Sequence, residues 1–268
     1  MPHEGLKFLM HVLNTIVLLN IVLPQRKVAQ INMILKPGKK PTDLKSYRPI
    51  SLLPINSKLL ETLFLKRLMP AIEEKVFIPK QKFGIRKNHS TIEEIHRIDE
   101  QKLKSFENKQ YCSAAFIDIS EAFDNVWHER LLYKFKSSLT LNYYLFNESY
   151  LNSRYYFVKN GSEMSKLHPI KSGVPQGSVL GPILCILSTA ELPINHPVLI
   201  GTNPVEASKK LQKSLDEIGI WANKWDTKMN ETKSVHITFT TRTESCPPVQ
   251  GCPYSTDPCF FLKNQRKK

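Results

Sequence analysis

The stretch FIDISEAFDNVWH, residues 116–128, sets two aspartates six positions apart, just after an apolar run. A carboxylate withdrawn from water is costly unless a cation or hydrogen bonds compensate it. Asp118 lies at the end of the run YCSAAFIDI, just before Ile119, and is suited to ligate Mg²⁺, a hard ion held by oxygen ligands, one or two of them carboxylates. The backbone carbonyl of Ile119 would be a second oxygen at the same place. Asp124 reads differently, as an anchor of the strand-to-helix turn through hydrogen bonds. Lys36 in LKPG and Arg48 in SYRP are cations able to hold a triphosphate, the arginine bidentately. SGVPQGSVLGP (172–182) is a glycine-proline loop opening a helix. Gly173 and Gly177 there let backbone come close to a ligand, and Gln176 offers amide hydrogen bonds.

These residues need a scaffold, and 268 of them can build a sizeable core. The balance of 38 Lys+Arg against 24 Asp+Glu gives a net charge of +14, which suits a polyanionic partner. Cys112, Cys185, Cys246, Cys252 and Cys259 form no CxxC pair, and an odd, scattered set is neither a disulfide framework nor an ordinary zinc knuckle. A reducing compartment follows. The segment 6–24 is long enough to span a membrane, but Lys7, His11, Asn14 and Asn20 interrupt it. Leu6, Leu9, Leu13, Ile16 and Val17 share one face, so it reads as a mostly buried amphipathic helix.

Further along, KVAQINMIL reads as a strand ending in a PGKK turn, and Leu59, Leu60, Leu63, Leu65 and Leu68 mark a helix. Ser90 or Thr91 caps the next helix, with Glu93 and Glu94 in its first turn. YCSAAFIDI is a strand apolar enough to be covered on both faces. A helix follows FDNVW; RYYFVKNGSEM is a hairpin turning near Asn160–Gly161. Residues 207–226 form a helix with Leu211, Leu215, Ile218 and Trp221 or Ala222 inward. SVHITFTT (234–241) is a strand with Val235, Ile237 and Phe239 on one face. Trp221 and Trp225 belong to the core. The class is α+β, an antiparallel sheet packed by helices on one side.

NMILKPGKKPTDLKSYRPISLLPINSKLLETLFLKRL, FGIRKNHST, FIDISEAFDNVWHERLLYKF, SGVPQGSVLGPIL and KMNETKSVHITF follow one another in this order. Together they resemble a reverse transcriptase, more narrowly the jockey-type polymerases of insect non-LTR retrotransposons, from about residue 5 to 249. The resemblance implies a fingers–palm fold that copies RNA into DNA by adding deoxynucleotides to a primer 3′-end, with Mg²⁺ or, in its place, Mn²⁺. Its partners would be an RNA template, a DNA primer, deoxynucleoside triphosphates and an element-encoded nucleic-acid-binding protein, in cytoplasm and nucleus, with no membrane.

By the same resemblance Asp118 is catalytic and, with the Ile119 carbonyl, a metal ligand. Phe123 lies beneath the sugar of the incoming nucleotide and excludes a 2′-hydroxyl. Gln176 and Gly177 pack against template base and nucleotide, and Arg48 and Lys36 face its phosphates. Lys233 lies near the active site as a proton donor to pyrophosphate, while Arg86 and His89 contact the template backbone or hold the fingers together. Segments 1–25 (N-terminal helix), 26–110 (fingers), 111–245 (palm) and 246–268 (basic tail) follow.

The family pattern breaks at one point. Its second metal site is a tight Phe/Tyr-Ala-Asp-Asp hairpin, and the interval near 193–205 contains no such string. After Asp124 the next aspartate is Asp216, and the acids between 179 and 215 are Glu191 and Glu206. The expectation is therefore an incomplete palm, with two sheet strands missing and polymerisation impaired. The competing expectations are a nucleic-acid-binding remnant without chemistry and a functionless relic of a decayed element.

Overall fold

The computed structural model describes residues 3–75, 77–79, 90–193, 198–241, 247, 249 and 254–255. Helix α1 (His3–Leu19) leads through a 3₁₀ turn to β1 (Val28–Leu35), β2 (Tyr47–Leu52) and α2 (Ile55–Glu74). Next come α3 (Thr91–Glu107), β3 (Tyr111–Phe116), α4 (His128–Ser138) and α5 (Leu141–Leu151). The strands β4 (Arg154–Asn160), β5 (Glu163–Met164) and β6 (His168–Ile170) precede α6 (Gly181–Ser188). β7 (Leu199–Gly201), α7 (Pro204–Lys224), β8 (Val235–Phe239) and β9 (Tyr254–Ser255) complete the order. Two compact units result, each assembled from two stretches: residues 1–79 with 122–190, and 80–121 with 191–268.

The first unit is built on helices. On α2, Leu60, Phe64, Leu68 and Ile72 are buried at every fourth position, the spacing of one helical face. They meet Leu13 of α1, Leu131 of α4, Phe146 of α5 and Leu184 of α6 in one continuous core. At its centre the Phe64 and Phe146 rings stack 3.7 Å apart at 14°. The face differs from the leucine spacing read in sequence: Leu59 is 41% exposed, and the inward stripe takes in the charged Glu61. The expected mostly buried α1 is also corrected. Among its described residues only Leu13 and Ile16 are buried, while Phe8 and Leu18 are 72% and 76% exposed. A helix that packs along one neighbour buries only a narrow stripe.

The sheet of this unit runs β2-β1-β4-β5, with β6 also on β4. β1 pairs antiparallel with β2 but parallel with β4, so the sheet is mixed where a purely antiparallel one was expected. The β4–β5 hairpin does turn at Gly161, whose φ of +60° glycine adopts without strain.

In the second unit β3 lies between β7 and β8, antiparallel to both. α3 opens with a capping box on Ser90, the Glu93 carboxylate accepting from the Ser90 N–H at 3.1 Å. β3 stops at Phe116, which is 45% exposed, so Ile117 and Asp118 lie past the strand rather than at its buried end. β7 occupies three residues of the interval from which two strands were expected to be missing. On β8 the half-buried face is Val235, Ile237 and Phe239, while His236 and Thr238 are the buried ones. Thr238 and Ser113 join by a 2.9 Å hydroxyl–hydroxyl bond that crosses from β8 to β3, and His236 bonds Thr238. Trp221 is buried on α7 and Trp225 half-buried beside it. The apolar core here is broken into small clusters. None of the described helices is long and apolar enough to cross a membrane.

The continuous core makes Phe64 its most sensitive position. Phe64→Ala should cost about 3–5 kcal/mol in urea unfolding, while Leu59→Ala should stay within about 0.5 kcal/mol. Equal losses would mean that the assigned face of α2 is wrong.

Candidate functional site

In the first unit the loop preceding α6 is tied down along its whole length. The Gly173 N–H donates to the Val126 carbonyl and the Val174 N–H to the Phe123 carbonyl, both at 2.8 Å. A Cβ on Gly173 would stand 2.7 Å from the Asp124 carbonyl oxygen, and φ there is +84°. Three residues after Gly173, the Ser51 N–H of β2 donates to the Gln176 carbonyl at 2.7 Å. A Cβ on Gly177, at φ +114°, would meet the Ser51 carbonyl oxygen at 2.8 Å. Both glycines are required by close approach and by backbone conformation. What they approach is the protein's own backbone.

Two buried side chains that sequence reading passed over finish the work. The His128 ring nitrogen Nε2 lies 2.6 Å from the Gly173 carbonyl. Burial holds the imidazole below its ordinary value, against the pull of that carbonyl. Glu61 of α2 accepts from the Val179 and Leu180 N–H groups at 2.6 and 3.0 Å and from the Tyr150 hydroxyl at 3.2 Å. The signal for Glu61 was its place beside Leu60 on the inward stripe; a charge on a helix otherwise reads as solvated.

The predicted nucleotide-facing residues of this unit divide. Phe123 is half-buried against the core, its carbonyl held by Val174. Gln176 borders a cleft of about 440 Å³ shared with Ile31, Met33, Ser51, Asp124 and Tyr156. Asp124 is exposed, and its carbonyl accepts from the Ser172 hydroxyl at 3.3 Å. Arg48 is exposed on β2 opposite Ile34 of β1. Lys36 is engaged otherwise: its ammonium donates to the Lys45 carbonyl at 2.7 Å and its N–H to Ser46 at 2.8 Å. That closes the loop between β1 and β2. Arg86 and His89 lie outside the described residues.

In the second unit the backbone around Asp118 is stitched to residues 228–234. The Asp118 N–H donates to the Ser234 hydroxyl at 3.1 Å, and its carbonyl accepts from the Asn230 N–H at 2.7 Å. The Ser120 N–H donates to Lys228 at 2.9 Å, which sets Ile119 opposite Met229 in an isolated bridge. In that pairing the Ile119 carbonyl turns away from the 228–230 segment. The Asp118 carboxylate faces Lys233, whose ammonium is 3.7 Å away, with side chains 44% and 70% exposed. A pair that open contributes little to stability.

A divalent ion implied by the motifs can be tested against these donors. Among the described residues no group of three His, Cys, Asp or Glu side chains converges. Glu206, the acid nearest the expected hairpin, caps α7: its carboxylate accepts from the Thr202 N–H at 2.8 Å and pairs with Lys210 at 2.8 Å. Lys210 first, then Thr202, hold its carboxyl down at about 2. Asp118, half-exposed and facing a lysine, is not gathered with two further such side chains, so the described donors do not fit a two-ion clamp.

Residues 34–196 match the family described as reverse transcriptase (RNA-dependent DNA polymerase). The chain is similar to the RNA-directed DNA polymerase from mobile element jockey of Drosophila melanogaster, 39% identical over 93% of this chain and 29% of that protein. It is 36% identical to the probable RNA-directed DNA polymerase from transposon X-element of the same species, with 93% and 29% covered. The chain therefore spans under a third of the length of these curated relatives. Among solved structures, telomerase from Candida tropicalis in complex with a telomeric RNA fragment is similar at TM-score 0.54 and 16% identity, over 81% of this chain and 42% of that one. The corresponding Candida albicans structure gives 0.55 and 15%, over 84% and 43%. At such identities the likeness is one of fold.

Two outcomes follow from the tethered loop. Gly177→Ala should destabilise by about 1–3 kcal/mol, whereas Gly219→Ala, in open space on α7, should stabilise by about 0.5–1 kcal/mol. Chemical denaturation reads both, and equal effects would contradict the contact with Ser51. His128 gives the second. Its folded value lies below the ordinary 6.5, so below that pH the unfolded chain binds more protons than the folded one. Stability should fall as pH drops from 7.5 to 5.5, and a melting series on His128→Gln should fall less. An unchanged slope would remove His128 from the account.

Proposed function

The chain belongs to the reverse transcriptase (RNA-dependent DNA polymerase) family, and on that premise we propose that it is the fingers–palm part of a non-LTR retrotransposon polymerase whose nucleotide-facing scaffold is intact and whose polymerisation is severely impaired. The family uses divalent metal ions, and what those ions supply is charge neutralisation of the attacking and leaving oxygens. The observation that carries the reading is the contrast between the two units. The tethers of the 172–180 loop are in place, whereas Asp118 faces Lys233 and, among the described residues, no group of three His, Cys, Asp or Glu side chains gathers to hold a metal ion.

The intact half supports substrate roles for named residues. Phe123, held through its own carbonyl, would set the floor under a deoxyribose, and Gln176 with Gly177 would bear on the nucleotide and its template base. Arg48, exposed on β2, is the cation available to phosphates. Lys36 is withdrawn from that role by its bond to Lys45. Lys233, 3.7 Å from Asp118 in an open pair, would serve as a proton donor to pyrophosphate. The partners that fit are an RNA template, a DNA primer and deoxynucleoside triphosphates.

The impaired half favours a second reading, a nucleic-acid-binding protein without chemistry, because a charge of +14 survives whatever happens to the metal site. Losing a carboxylate of a two-ion clamp removes several kcal/mol of stabilisation, and each 1.36 kcal/mol is about tenfold in rate. Primer extension on an RNA template, with Asp118→Ala beside it, should therefore give indistinguishable, background incorporation for both. Extension that depends on Asp118 would overturn the impairment. RNA binding should persist and weaken steeply with salt; its absence at low salt would sink the binding reading.

A further inference from the structure

Glu61 is 1% exposed on α2, yet none of the nucleotide-facing roles uses it. Its carboxylate sits at the start of α6 and takes the two N–H groups, Val179 and Leu180, that follow the Gly177–Ser178 turn. Helix starts leave such donors unsatisfied and carry partial positive charge, so a carboxylate there is doubly favourable. The third bond, from the Tyr150 hydroxyl, fixes the remaining oxygen. Arg154, also 1% exposed, stacks 4.6 Å over the Tyr150 ring and donates to the Tyr150 carbonyl at 3.2 Å. Its Nε and Nη2 have no hydrogen-bond partner among the described residues, so it serves Glu61 as a nearby positive charge.

We propose that Glu61 is a positioning residue for nucleotide binding: through Val179 and Leu180 it holds the Gln176–Gly177 turn against β2, and thereby against Arg48. The inference rests on the nucleotide reading of that turn. Its geometry is a two-point clamp. Ser51 of β2 grips the turn at Gln176, Glu61 grips it three and four residues later, and both grips come from the β2–α2 segment that carries Arg48. With Glu61 neutralised, the turn keeps the Ser51 bond and the Gly173 and Val174 tethers before it, but its hold on the α6 side is weakened. A buried carboxylate supporting three donors would otherwise be an expensive way to fill a position that a leucine fills at Leu60 and Leu68.

The test compares dTTP binding with Mg²⁺ present, by equilibrium dialysis, for the native chain, Glu61→Gln and Phe64→Ala. The last is a stability control on the same helix: Phe64 shares the core with Val174 and Leu180 but has no polar side chain to hold their N–H groups. All are measured below their melting temperatures, with amide hydrogen exchange followed over residues 176–182. Glu61→Gln should weaken dTTP binding at least tenfold and speed exchange at Val179 and Leu180. Phe64→Ala should leave affinity within twofold despite its lower melting point. If Glu61→Gln does not fold, Glu61→Asp, which keeps the charge but shortens the reach, replaces it with the same expected direction. Native binding that the Glu61 variant leaves within twofold, or that Phe64→Ala weakens equally, overturns the inference alone. No dTTP binding by the native chain overturns the nucleotide reading and this inference together.

Discussion

Backbone packed on backbone is what the first unit depends on. The loop from Gly173 to Gly177 approaches the 123–126 turn and β2 so closely that a Cβ at either glycine would fall within 2.8 Å of a carbonyl oxygen. Such closeness allows Ser51, Val174 and Gly173 to make short hydrogen bonds across the gap. The loop buries Val174 and Leu180 in the core, and Glu61 and His128 add polar anchors at its peptide groups. Their carboxylate and imidazole reach its peptide groups directly. Phe123, Gln176 and Arg48 inherit their positions from this arrangement, whatever ligand they meet.

The second unit has a different economy. Its sheet is held by hydroxyls as much as by apolar contacts, with Ser113, Thr238 and His236 forming a buried polar seam between β3 and β8. Cys112, buried next to this seam, has its thiol pushed up to about 11 by burial and is a packing group rather than a nucleophile. Asp118 emerges beyond the strand into half-exposure, where its backbone is fully employed and its carboxylate is not. A site for two cations needs carboxylates that repel each other until the ions arrive. Here Asp118 has only an open pairing with Lys233, and among the described residues no group of three such ligands gathers.

Much of this could be read from the residues. The existence of α2, though not its buried face, the helix α7, the Ser90 cap and the turn at Gly161 are local and appear where the pattern puts them. Long-range facts were less legible. The polar side of β8 proved the buried one because Thr238 meets the Ser113 hydroxyl of β3 and His236 bonds Thr238, which alternation alone does not reveal. α1 looked buried because its apolar residues outnumber what a single neighbour can cover. Lys36 looked available for phosphate because nothing in LKPG announces that the chain returns to place the Lys45 carbonyl beside it. Glu61 was overlooked for the same reason: its partners stand 118 and 119 residues away.

We propose that the loop before α6 is complete for nucleotide binding while the ion-binding set, among the described residues, is not. Titrating the chain with Mn²⁺ and counting bound ions by electron paramagnetic resonance, with a nonhydrolysable deoxynucleotide present, tests it most directly. The account predicts only the ion that the nucleotide carries, unchanged in Asp118→Asn. Two ions bound per chain, one of them lost in Asp118→Asn, would contradict it.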